Sequence, residues 1–216
     1  DSSTSRGLGD VYKRQVYDVA KLLDNLFRGD RRIGNDKEFS KKVVLVDENE
    51  MTAVMMGFPT LKGLSRETPS TYVSVLLNQN AALHYIDVAQ EFGLAGDVCP
   101  MPEAELGVSI DDDAPILGAC AVQCNTTCDG SLMSNGGIAK RLELEDGIPI
   151  FQLAAPLRHR EDDVQDYAAQ EIRNCIAFIE EKTGEKWDWK YYFECAKRVN
   201  ESTRPVSYTH LRAHET

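Results

Sequence analysis

The chain has 216 residues, 42% of them hydrophobic, 27% charged and 8% aromatic, enough for one large or two small domains and unlike a disordered, collagenous or membrane-embedded chain. Its 24 lysines and arginines against 35 acidic residues give a net charge of -11, which repels phosphate backbones and anionic lipid surfaces, so neither nucleic acid nor a membrane is expected as a partner. Six cysteines at this length do not make a disulfide scaffold, and no secretory leader pattern opens the chain, which points to a reducing cytoplasm.

The two ends read as something other than protein design. Residues 5–15 (SRGLGDVYKRQ) and 206–216 (VSYTHLRAHET) look like translations of one sequencing-library adaptor. Codons that encode the first stretch, reverse-complemented and read in another frame, encode the second through Glu215. Ordinary flexible tails have no reason to be related in this way. His210 and His214 therefore carry no weight as metal ligands, and natural sequence is expected from about Val16 to Pro205, as a fragment of a longer chain.

From Val16 to Phe27 the apolar residues Val19, Leu22, Leu23 and Leu26 have helical spacing, and the charged GDRRIGNDKE stretch after them reads as an exposed loop. Val43–Val46 is short and β-branched, the pattern of a buried strand. Asp47 then reads as the cap of a helix from Glu48 to Met56 that stops at Gly57. Thr68, Pro69 and Ser70 set the start of a long helix through about Phe92, ended by Gly93.

Ile116–Val122 is a small, apolar run expected to be a strand buried on both faces of a parallel sheet, and it empties into the turn CNTTCDG. A helix over Met133–Leu142 and a second buried strand over Ile148–Leu153 complete a βαβ unit, at whose strand carboxyl ends ligands gather. Glu161–Lys182 presents Val164, Ala168, Ile172, Cys175, Ile176 and Ile179 on one face, and a further helix follows over Trp187–Val199. The expected divisions are artefact at 1–15, a helical amino-terminal part at 16–95, the α/β core at 96–160, a helical linker region at 161–205 and artefact at 206–216.

The cysteines sort into two kinds. Cys175 and Cys195 fall on or near apolar helix faces and read as core thiols. Cys99 and Cys128 sit in small, polar segments just after apolar elements, where thiolates for zinc or an iron–sulfur cluster are reachable. Cys120, Cys124 and Cys128 recur every four residues without a C-x2-C pair, and on a strand Cys120 and Cys124 share a face, which favours packing over ligation. A structural zinc module of Cys99, Cys124 and Cys128 is a further reading that spacing leaves open. Ser131, His159 and Asp163 lack a G-x-S-x-G elbow, and the GLAG and SNGG loops lack a P-loop lysine or a G-x-G-x-x-G pattern.

The blocks GDVCPMPEAELG, CNTTCDG, GIPIFQLAAPLRHRED, DYAAQEIRNCIAFIEEKTGEKWDW and KRVNE, between Gly96 and Glu201, resemble the 2-hydroxyacyl-CoA dehydratase and benzoyl-CoA reductase family. ENEMTAVMMGF resembles that family's early helix, a less specific motif. The resemblance implies the amino-terminal half of a subunit built from doubly wound parallel α/β domains of Rossmann or flavodoxin-like type with helical additions. It also implies an oxygen-sensitive [4Fe-4S] cluster, to which Cys99 and Cys128 match as ligands, with Cys124 as the alternative and the third cysteine downstream of Pro205. Thr126, Thr127 and Asp129, around Cys128, are the matching cofactor contacts. Glu50 is the candidate acid or base, against its reading as an ordinary first-turn helix acid.

The chemistry so implied is removal of water from a 2-hydroxyacyl-CoA to give an enoyl-CoA, cytoplasmic and anaerobic. One electron reduces the thioester carbonyl to a ketyl radical, which lets the 2-hydroxyl leave and acidifies the β-proton. The implied partners are the acyl-CoA substrate, a second subunit in a heterodimer and an ATP-hydrolysing activator. Two alternatives within the resemblance are a benzoyl-CoA reductase-type subunit and a structural partner subunit without chemistry. The fragment by itself is expected to have little activity.

Overall fold

A computed structural model of the chain describes residues 37–47, 51–66, 79–111, 118–124, 129–145, 147–156 and 160–213. In chain order the elements are α1 (Lys37–Ser40), β1 (Val43–Val46), α2 (Thr52–Met55), β2 (Lys62–Ser65), α3 (Gln79–Phe92), α4 (Pro100–Ile110), β3 (Cys120–Cys124), α5 (Asp129–Lys140), β4 (Ile150–Leu153), α6 (Asp162–Thr183) and α7 (Trp189–Ala213).

Among the described residues four strands form one sheet in the order β2-β1-β3-β4, with every neighbouring pair parallel. The expected α/β class with a parallel sheet is what the chain adopts. Strands from both sides of residue 95 share this sheet. β1 is central because all four of its residues, Val-Val-Leu-Val, are apolar and buried, so it tolerates cover on both faces.

Strand alternation sorts the core into two layers. On one face Val43 and Leu45 join Leu64 and Ala121 against Ala89 of α3, Leu106 of α4 and Ile138 of α5. On the other, Val44 and Val46 join Cys120, Val122 and Leu153 against Val54 of α2 and Cys175 and Ile179 of α6. Full burial of each large aliphatic side chain contributes about 1.5–3 kcal/mol, so these two layers set the sheet's position.

Local signals fix the helix ends. Gly93, at φ 116°, ends α3 as expected, and Gly184, at φ 75°, caps α6 by donating its N–H to the Glu180 carbonyl (2.9 Å). Asp162 and Asp163 lie in the first turn of α6 and Lys182 in its last, matching the helix dipole.

Several boundaries differ from expectation. Lys37 and Glu38, placed in an exposed loop, begin α1, although Glu38 is exposed. The helix expected over 48–56 is described only as Thr52–Met55, and residues 48–50 lie outside the described set. β3 runs Cys120–Cys124 rather than 116–122, of which 116 and 117 are outside the described residues. α5 starts at Asp129, four residues before Met133, because Gly130, Ser131 and Ser134 are small enough to be buried in its first turns. It ends in a π-helical turn at Arg141–Glu145. SNGG is therefore a helix segment, not a loop; a Cβ on Gly137 would come within 2.8 Å of Leu106, so glycine sets how closely α4 approaches α5. β4 begins late, at Ile150, as does α7, at Trp189, and α7 continues past Val199 to Ala213. The helix read at 16–27 lies outside the described residues, as do residues 68–78 of the helix expected from Thr68.

Candidate functional site

Because all four strands are parallel, their carboxyl ends share one edge of the sheet. The order β2-β1-β3-β4 reverses direction between β1 and β3, and the crevice at such a reversal is where open α/β sheets hold their ligands. Asp47 follows β1, Arg66 follows β2, and Gln123 and Cys124 end β3, so four polar positions converge there.

They close into a ring with Asn135 of α5. Arg66 Nη2 donates to Asp47 Oδ1 (3.0 Å) and to Gln123 Oε1 (3.1 Å). Gln123 Nε2 donates to the Asn135 carbonyl (2.9 Å), and Asn135 Nδ2 donates back to Asp47 Oδ2 (2.8 Å). Both backbone groups of Cys124 are held in the same place: its N–H by Asp47 Oδ2 (3.4 Å) and its carbonyl by Asn135 Nδ2 (3.0 Å). Glu105 of α4 lies 3.4 Å from Arg66 Nε, so one guanidinium faces two carboxylates.

The ring is dry. The side chains of Asp47, Glu105 and Arg66 are only 3%, 8% and 10% exposed. The first-turn residues that Asp47 would cap, 48–50, lie outside the described residues. The Asp47 carboxylate is spent across the sheet, because a buried charge needs a paired cation and hydrogen-bond donors.

Cys99 is exposed and occupies the cap position before Pro100 of α4, with φ -63° and ψ 130°. The segment around it, read as irregular, becomes helical immediately after the cysteine because proline at the first turn loses no helix hydrogen bond. Asp129 is exposed at the first residue of α5, where the helix dipole favours an acid. Cys128, Thr126, Thr127 and Glu50 lie outside the described residues.

The other cysteines behave as packing residues. Cys120 and Cys175 are fully buried in the same layer, and Cys124 packs against it from the same face of β3. Burial pushes the Cys120 thiol up to about 12; at Cys175 burial, then the neighbouring Cys120 and Cys124, does the same to about 12. Cys195 is half-buried, and its hydrogen bond to Tyr191 is the first cause raising that phenol.

An iron–sulfur group needs accessible thiolates. Cys99 is exposed, whereas Cys120 and Cys175 are buried and held protonated. Among the described residues no three His, Cys, Asp or Glu side chains converge on a metal position. Of the residues weighed as a hydrolase triad, Ser131 is buried in α5, Asp163 accepts the Val164 N–H at the start of α6, and His159 lies outside the described residues. No helix among the described residues is long and apolar enough to cross a membrane.

A parallel α/β sheet with a polar site at its β1/β3 reversal is the class of protein defined so far. Residues 51–214 match the family model of the 2-hydroxyglutaryl-CoA dehydratase D-component, and the chain belongs to this family. Over 152 residues it is 25% identical to the (R)-phenyllactyl-CoA dehydratase alpha subunit of Clostridium sporogenes. That match covers 67% of this chain and 36% of the relative, so the chain spans about a third of the relative's length.

The ring's members are scattered along the sequence. Its signal is a polar residue at the carboxyl end of each strand: Asp47 after VVLV, Arg66 after KGLS, and Gln123 next to last in CAVQC. An isolated polar residue at a strand's carboxyl end is weak until the strand order is known.

Proposed function

We propose that this chain is part of one subunit of a 2-hydroxyacyl-CoA dehydratase, which removes water from a 2-hydroxyacyl-CoA to give an enoyl-CoA. The match of residues 51–214 to the dehydratase family carries the reading. The relative's name, a dehydratase, favours elimination over aromatic-ring reduction. A second subunit and an ATP-hydrolysing activator complete the proposed system, and the acyl-CoA is its substrate.

Cys99 and Cys128 are the residues of this chain that would hold a [4Fe-4S] cluster. Such a cluster supplies single-electron chemistry and, where an iron is left open, a Lewis acid. The protein's own share is positional. Cys99 is held at the start of α4 by the fixed φ of Pro100 and by the burial of Glu103 through Val108 just behind it. Cys128 directly precedes α5, whose buried face, Ser131, Ser134, Asn135 and Ile138, anchors that helix to the sheet. The apolar layers beneath exclude water from the sheet side of the crevice.

The test is anaerobic reconstitution of the complete subunit with its partner, with iron and sulfide quantified in wild type, Cys99→Ser and Cys128→Ser. Wild type is expected to hold about four irons and both variants to lose them. Absence of iron and sulfide from the complete wild-type protein would overturn the cluster reading. Zinc without sulfide would replace it with a structural metal site.

A further inference from the structure

The start of α7 is clamped to the sheet layer, and the helix then stands clear of it. Glu185, in the turn before α7, accepts both the backbone N–H (2.8 Å) and the hydroxyl of Thr60, and the Lys42 ammonium lies 3.6 Å from the same carboxylate. Asp188 caps the helix, its Oδ1 accepting the Tyr191 N–H (3.0 Å). Beyond this anchor no helix or strand among the described residues packs extensively on α7, and Lys197 through Ser202 are all exposed.

The exposed helix is not polar all round. At about 100° per residue, Trp189, Tyr192, Phe193, Ala196 and Val199 fall on one arc, and Lys190, Glu194, Arg198 and Glu201 on the opposite one. Trp189, Phe193 and Val199 are 57%, 64% and 48% exposed. The aromatic members brace one another: Trp189 lies 5.8 Å from Tyr192 and 6.0 Å from Phe193 between ring centroids, and both Trp189 and Tyr192 lean on the half-buried Trp187 (5.4 and 5.3 Å). Aromatic side chains held in this way lose little freedom when covered, and they are the composition of an interface core rather than of open surface. Contiguous exposed apolar surface of this kind marks a contact surface.

The polar arc decides what can cover it. Two acids and two bases leave that side in water, so α7 lies against its neighbour along one side only. The balance does not suit a membrane surface, which selects a strongly basic polar face, and a second copy of a chain with net charge -11 is repelled at long range. Further polypeptide of the same subunit is the ready occupant: the match covers 67% of this chain but 36% of the relative, so the larger part of a subunit of that size lies outside the match.

We propose that the Trp189–Tyr192–Phe193–Ala196–Val199 face of α7 is the surface on which the remaining polypeptide of the same subunit docks, through an apolar groove that takes the helix at its i, i+3, i+4 and i+7 positions. This rests on the reading of the chain as part of a longer dehydratase subunit. The clamp at Glu185 sets the direction in which α7 leaves the sheet, and thereby orients the docked polypeptide relative to it.

The test is hydroxyl-radical footprinting, read residue by residue by mass spectrometry, on the complete subunit alone and with its second subunit. In the complete subunit alone, Trp189 and Phe193 are expected to label about ten-fold more slowly than in the same protein unfolded in denaturant, with no further slowing when the second subunit is added. Phe193→Asp is expected to speed Trp189 labelling several-fold and to lower the thermal midpoint by several degrees. Glu194→Asp, on the polar arc, controls for the poorer helix propensity of the new residue and should leave Trp189 at the wild-type rate. If Phe193→Asp fails to fold, the wild-type comparison still decides.

Labelling of Trp189 and Phe193 in the folded complete subunit as fast as in the unfolded protein overturns the proposal. Protection that appears only with the second subunit overturns it in favour of an intersubunit contact, and protection that grows with the concentration of the subunit alone does so in favour of a second copy. Failure of the dehydratase reading shows separately, as absence of iron and of enoyl-CoA formation, and leaves the footprint readable.

Discussion

The indole of Trp187 lies directly over the backbone of Gly57, in the space that a Cβ at that position would need. Phe58 meets the same indole edge to face, with ring centroids 5.2 Å apart, and the Asp188 N–H donates to the Gly57 carbonyl (2.8 Å). The turn between α6 and α7 is thereby docked on the loop that follows α2.

Gly57→Val is therefore expected to destabilise the protein by about 1–3 kcal/mol, because the backbone beneath the ring cannot retreat and the indole must. Denaturant unfolding followed by tryptophan fluorescence reads this. A midpoint equal to wild type would show that Trp187 moves aside freely.

Ile179, fully buried between α6 and the sheet, tests the second layer. Ile179→Ala should cost about 2–5 kcal/mol, through lost transfer energy and the cavity it leaves. Ile172→Ala on the same helix, where the residue is exposed, should cost well under about 1 kcal/mol. Equal losses at the two positions would refute the placement of α6.

Thiol chemistry separates the cysteines. In the native protein, alkylation should label exposed Cys99 quickly and spare Cys120 and Cys175 until the chain unfolds. The pH dependence has a definite sign. Burial raises both buried thiols from 9.0 to about 12, so the folded state keeps protons that the unfolded state releases. Their contribution is complete below about pH 9 and declines as pH rises toward 12. Cys175→Ala should flatten the alkaline fall of the unfolding midpoint, and an unchanged slope would count against burial of that thiol.

Glu180 titrates in the opposite direction. The Trp187 N–H and the Lys186 ammonium, both bonded to its carboxylate (2.8 and 2.9 Å), hold it below its ordinary value of 4.5. A depressed carboxyl stabilises the fold above its unfolded pKa, and that help is lost as pH falls through the folded value. Glu180→Gln should lower the unfolding midpoint at neutral pH and converge with wild type in acid. A gap between the two that persists below the folded pKa would argue against the charge as its cause.

Much of this architecture is legible from residues alone, and the exceptions have physical causes. Val43–Val46 and the 22-residue α6 announce themselves by β-branching and by three-and-four spacing. β2 does not, because Lys62-Gly63-Leu64-Ser65 has no β-branched residue, and it becomes a strand only because β1 offers an edge to pair with. α4 is obscured by Pro100 and Pro102, which look like loop punctuation but fall in the first turn, where proline is tolerated. Cys175 is legible as core from helical periodicity. The polar ring is not legible, since its members are separated by as many as 88 residues and only the strand order brings them together.

That strand order also dictates a schedule for synthesis. β1 and β2 leave the ribosome before β3 and can pair at once, but the other side of β1, the most apolar of the described strands, must wait until β3 has been translated. Through that interval a bare Val-Val-Leu-Val edge is open to any other unpaired strand. Nascent chains stalled between β2 and β3 are consequently the form of this protein most in need of chaperone protection.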